Sequence, residues 1–268
     1  MYTSTIQSFS ASAEKKVAEL QHNPRGFFAA CVLGGAYIGL GIVLISSVGD
    51  HLPPSVQKLG MGLTFALALI LVVIAGAELF TGYAMYMALA GLTGRVSRQQ
   101  ALRAMAVCWL GNMVGSLLVA SLFALAGANG LLREPHSLVF ALASSKMSAP
   151  PLALLARAIL CNWLVCLALW MSGRVDSDIA RCVVIFWCLL AFVASGFEHS
   201  VANMTLLSLA WIGHHFDAAT LVSALYNLAL VTVGNVLGGG LLVGGMYWLA
   251  RGRGADSDLP EYREGPSQ

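Results

Sequence analysis

The chain has 268 residues, of which 58% are hydrophobic and only 10% charged, and its formal net charge is +2. Mean hydropathy is +0.76. A soluble domain carries about 25% charged residues to cover its surface, so a soluble enzyme and a disordered chain are both excluded and a polytopic membrane protein remains. The near-neutral charge leaves no basic footprint for nucleic acid.

In chain order, residues 1–25 form a polar N-terminal segment. Within it SASAEKKVAELQ predicts a short amphipathic helix on the membrane surface, stopped by Pro24. Its reading is either a solvated lead-in or a lid at a pore mouth. Six apolar segments follow, at about 26–49, 59–93, 102–128, 150–172, 182–213 and 218–250. A span of about 30 Å of hydrocarbon takes about 20 helical residues. The second and fifth segments are too long for one straight span. Each also holds a glutamate near its middle with glycine close by, in GAELFTG (76–82) and SGFEHSVAN (195–203). Broken helices are the economical explanation, because irregular backbone at membrane depth survives only inside protein or along a water-filled cavity. Residues 251–268 form a polar tail.

Lys and Arg counts set the orientation. Eleven lie on the side of the termini, including Lys15, Lys16, Arg95, Arg181, Arg253 and Arg263; three lie on the other, Lys58, Arg133 and Lys146. Both termini are therefore expected in the cytoplasm. Arg157 falls inside the fourth segment and reads as a partner at a helix or subunit contact.

The two halves, about 26–128 and 150–250, resemble each other. Gly76-Ala-Glu78 matches Gly196-Phe-Glu198, and Gly111-Asn112-x-x-Gly115 matches Gly234-Asn235-x-x-Gly238, at nearly equal offsets. Three spans per half is odd, so the halves lie inverted, with the solute site near the midplane between them. The G-N-x-x-G elements read as close helix contacts with a buried Asn bonding across them.

Ionisable residues in the membrane are costly and call for a reason. Glu78 and Glu198 occupy equivalent positions, so they read as scaffold: carboxylates accepting from free N–H groups at the helix breaks. His199 has no counterpart, since Leu79 fills the matching position, and so falls on the functional side. Imidazole can donate to an anion or protonate it. Lys146 is either a solvated loop cation or an attractor of anions. The six cysteines sit in apolar stretches without metal-ligand spacing and read as small buried hydrophobes. No hydrolase, metalloprotease or nucleotide-binding signature occurs, so no enzyme, cofactor or metal site is expected.

GAELFTG, WLGNMVGS, CNWLVCLA, FVASGFEHSVANM and the late GNVLGG together resemble the formate/nitrite transporter family over residues 5–250, closest to its nitrite-channel branch. The resemblance implies an all-α, aquaporin-like fold of six transmembrane helices in an inverted 3+3 repeat with helices 2 and 5 broken. It further implies a homopentamer in the bacterial inner membrane whose protomers each pass nitrite, or formate. It maps the family's pathway onto His199, Asn162 near that His, Lys146 and Thr81. The family's apolar constrictions map onto Phe65, Leu69, Leu79 and Phe192. Two other classes stay open: a neutral-solute facilitator and a proton-coupled symporter.

Overall fold

The computed structural model describes residues 2–214 and 218–251, and among them there is no strand. The expected tail therefore lies outside the described residues except for Arg251, as do Arg253 and Arg263.

Helix α1 (Thr3–His22) begins earlier than its amphipathic stretch suggested. Its stripe of Ile6, Phe9, Ala13, Val17 and Leu20 recurs at three and four residues and is buried against the bundle. It is thus a packed element rather than a solvated lead-in. Asn23 turns the chain: its side chain accepts from Gly26 N at 3.0 Å, and Pro24 opens α2 (Pro24–Gly49), where its missing N–H costs nothing.

The second segment is broken. Helix α3 (Pro54–Ile70) loosens into a π-helical turn at Leu71–Gly76, the chain runs extended through Ala77 and Leu79, and α4 (Phe80–Leu92) resumes. Helix α5 (Arg98–Leu125) starts from a reciprocal cap between Ser97 and Gln100. A short helix that the sequence did not reveal, α6 (Leu138–Met147), follows and carries Lys146 in its last turn.

The second half repeats this plan. Helix α7 (Pro151–Ser172) is followed by α8 (Asp178–Ala194), a break, and α9 (Ser200–His214). Helix α10 (Ala218–Leu237) continues through a π-helical run at Gly238–Gly245 into α11 (Met246–Ala250). Among the described residues five helices are long and apolar enough to cross a membrane. The fifth segment is missing from that set because its break divides it into two shorter helices.

The breaks match in detail. Gly76 and Gly196 have φ of +82° and +71°, a region where a Cβ is strained. Just beyond each, a wide i→i−5 bond closes the helix end, Ala77 N to Val72 O and Phe197 N to Phe192 O, both at 3.0 Å. The G-N-x-x-G elements give close contact as expected: a Cβ on Gly115 would overlap the Val32 carbonyl of α2, and one on Gly238 the Ile159 carbonyl of α7. All six cysteines are free, and all but Cys182 are buried. The outer face is apolar, with Leu102, Leu122, Trp187 and Leu249 each more than half exposed, which suits lipid or another apolar partner and not water.

Candidate functional site

Each break leaves a helix N-terminus inside the protein, with N–H groups that need acceptors. The expectation was that the glutamates supply them. The structure corrects this: the acceptors are the repeat asparagines. Asn112 Oδ1 takes Phe80 N at 2.8 Å, and Asn235 Oδ1 takes Ser200 N at 2.8 Å. Each Asn also donates twice. Asn112 reaches the carbonyls of Cys31 (2.7 Å) and Glu78 (2.8 Å), and Asn235 those of Ala158 (2.8 Å) and Glu198 (2.9 Å). A side-chain amide has both donors and an acceptor, so one group can pin a break to two neighbours; a carboxylate cannot donate.

The glutamates are thereby freed for charge pairing. Glu78 pairs with Lys16 of α1 and accepts from Tyr83 Oη at 3.0 Å. Glu198 pairs with Lys146 at 2.8 Å and accepts from Asn203 Nδ2 at 2.7 Å. Asn203 donates on to Asn227, whose own amide holds the Lys146 carbonyl at 2.9 Å. The Lys16 partnership and this Asn203–Asn227 chain were missed in the sequence. The five-residue spacing of Tyr83 from Glu78 and of Asn203 from Glu198 was the available signal.

His199 is the last residue before α9 and is 3% exposed. Its Nδ1 accepts from Ala202 N at 3.1 Å. That nitrogen therefore carries no proton, and the ring N–H is on Nε2. Nε2 lies 3.1 Å from Thr81 Oγ1 in the first turn of α4, so the Thr hydroxyl oxygen accepts from it. The two half-helices meet at this contact. Asn162 makes its hydrogen bonds to the carbonyls of Thr81 (3.0 Å) and Asn235. It holds the backbone of Thr81 and of the second repeat Asn, and no hydrogen bond links it to the imidazole.

Two cavities flank this contact. One, of 410 Å³, is lined by Phe9, Lys16, Glu78, Tyr83, Leu69 and Leu79 among others. The other, of 320 Å³, is lined by Lys58, Lys146, Arg157, Glu198, Phe65, Phe192 and His199 among others. Between them is a void of 10 Å³ bounded by Phe65, Leu69, Leu79, Phe192 and His199, room for about one water. Phe65 and Phe192 meet edge to face at 5.7 Å, and Phe192 stacks on the His199 ring at 6.1 Å. Each cavity holds one Lys–Glu pair, with its glutamate drawn from a different half. Arg157, expected at a helix or subunit contact, is exposed in the single protomer in the second turn of α7 and lines the second cavity, while its carbonyl accepts from Glu198 N at 3.3 Å. Among the described residues no group of three or more His, Cys, Asp or Glu is placed to hold a metal.

Two cavities separated by a narrow gap of Phe and Leu with one His on its wall, inside an apolar helical bundle, define a membrane channel or transporter rather than an enzyme. The match to the formate/nitrite transporter family model runs over residues 3–249, and the chain belongs to that family. It is 48% identical over 250 residues to the nitrite transporter NirC of Salmonella typhimurium, covering 93% of this chain and 92% of that one. It is 32% identical to the formate channel FocA of Escherichia coli, covering 88% and 90%. Among solved structures, an FNT family ion channel superposes with a TM-score of 0.90 at 47% identity, covering 93% of this chain and all of that one. A pentameric formate channel with formate bound gives 0.67 at 30%, covering 83% and 95%.

Proposed function

We propose that the protein is a channel for nitrite, open by the same chemistry to formate, in the bacterial inner membrane, working as a homopentamer of six-span protomers with both termini cytoplasmic. The higher identity to nitrite transporters than to the formate channel supports nitrite. The pentameric neighbour and the apolar outer face support the assembly, and the Lys/Arg distribution supports the orientation.

The observation that carries the reading is the tiny void between two cavities with a polarised imidazole on its wall. An anion stripped of water there is costly. Phe65 and Phe192 on one side and Leu69 and Leu79 on the other exclude solvent. His199 Nε2–H then offers the anion what it offers Thr81 at rest, one hydrogen bond, and the Thr81 hydroxyl is released to donate a second. Because Nδ1 is occupied by the Ala202 amide, the imidazole acts as a hydrogen-bond donor and keeps its proton.

The test is nitrite-driven current and internal pH recorded together in proteoliposomes, with formate and glycerol as comparators. The expected result is current without stoichiometric pH change, lost or stripped of anion selectivity in His199→Phe. Unchanged nitrite flux in that variant, or rapid glycerol flux without a nitrite response, would overturn the assignment. Electroneutral nitrite entry with acidification would replace the channel by a proton-coupled carrier.

A further inference from the structure

Resting on the nitrite-channel reading, we propose that Arg157, together with Lys58, forms a capture site for small monovalent anions at the mouth of the second cavity, distinct from the Lys146 pair deeper in it. In the first cavity both lining cations are paired, Lys16 with Glu78 and Arg181 with Asp178 at 2.8 Å. In the second, Lys146 is paired with Glu198 at 2.8 Å, and that carboxylate is 4% exposed. A tight pair is a dipole whose field fades quickly, so at a distance Lys146 attracts an anion less than a lone cation does. Lys58 and Arg157 line the same cavity, and neither makes an ion pair or side-chain hydrogen bond with any described residue. The lining thus carries three cations against a single carboxylate, and the excess sits on these two side chains.

Their placement suits capture. Lys58 lies near the start of α3. Arg157 lies in the second turn of α7, about 9 Å along the helix axis from Pro151. Its carbonyl receives Glu198 N, so the side chain is rooted at the wall of the helix break that leads to His199. An arginine on an apolar helix is costly unless it is solvated or faces an opposite charge, and a planar guanidinium presents paired N–H donors that fit the two oxygens of nitrite or formate. Unpaired positive charge at the rim of a low-dielectric cavity concentrates anions and raises their entry rate in proportion to how weakly salt screens it. Because the first cavity lacks unpaired cations among the described residues, the two entrances differ, and entry from the second is the faster.

The test is the current–voltage relation of single pentamers in a planar bilayer with equal nitrite on both sides, at low ionic strength and again at about 1 M inert salt, where the screening length falls to about 3 Å. The wild-type protein is expected to rectify at low salt, and the rectification to vanish at high salt. In Arg157→Gln/Lys58→Gln the favoured current is expected to fall about tenfold at low salt only, with Arg157→Lys retaining most of it. Wild-type rectification unchanged in the double variant overturns the capture site, as does a loss that persists at high salt, which is the mark of a gating or packing role. If Arg157→Gln fails to assemble as a pentamer, Lys58→Gln alone, outside the apolar helix interior, must still reduce rectification. A wild-type channel that passes no nitrite at all sinks the functional reading itself, whereas an unaltered variant of a conducting channel sinks only the capture site.

Discussion

His199 and Thr81 come from different halves of the chain, yet they meet at 3.1 Å with the imidazole N–H aimed at the hydroxyl. Thr81→Val keeps the volume and removes the acceptor. It leaves a buried N–H unpaired, at about 1–3 kcal/mol, and removes the hydroxyl that would share the anion. We expect nitrite conductance to drop severalfold with the pentamer intact on size exclusion; conductance equal to wild type would show that Thr81 takes no part. At this scale the sequence was half legible. His199 stood out because its repeat partner is Leu79, an argument from the residues alone. Thr81 and Asn162 were located through the family resemblance, which also decided between the two readings that the residues had left open for Lys146. The roles of the glutamates were misjudged because a carboxylate near a helix break looks like a cap, and only the fold shows that the asparagines, more than thirty residues away in each half, reach it first.

At the level of elements, the breaks depend on two glycines with positive φ and on the amides that tie them down. A Cβ on Gly196 would meet nothing within 4 Å, so Gly196→Ala isolates the backbone penalty. That penalty is about 1–2 kcal/mol. Gly91 in α4 is equally open but has ordinary helical backbone, so Gly91→Ala is expected to shift stability the other way, by about 0.5–1 kcal/mol. Apparent melting temperatures in detergent should move in opposite directions; a shared direction would mean that Gly196 does not need its conformation. The breaks were legible in advance because two apolar segments exceeded a span and each held a glutamate beside glycine. Helix α6 was not. Ten residues are too few to register as a span, and its last-turn lysine made the stretch look like solvated loop.

For the whole molecule, the repeat places a Lys–Glu pair in the cavity on each side of the central gap. Glu198→Gln leaves Lys146 unpaired in a site 17% exposed, at about 3–5 kcal/mol. The exchange Lys146→Glu/Glu198→Lys should recover part of that loss in thermal stability; a double variant no better than the single one would show that the pair acts through its other contacts, Asn203 above all. The repeat itself was readable as two motif matches at near-equal offset. What it could not show was that the lysines belong to it, because Lys16 lies 62 residues before its partner and Lys146 only 52. Their equivalence lies in space and not in sequence alignment.

The Ala202 amide also keeps a second proton off His199 Nδ1. A histidine that relays protons along a wire takes one on a first nitrogen and sheds another from the second. This ring has one nitrogen turned to the pathway and the other plugged by backbone. While that plug holds, a lone proton finds no through-route across this imidazole, and on the proposed channel reading a hydronium would meet a dead end where an anion would meet a partner. Such a ring would close one route by which a pore leaks protons, the relay through the imidazole, with a single main-chain N–H.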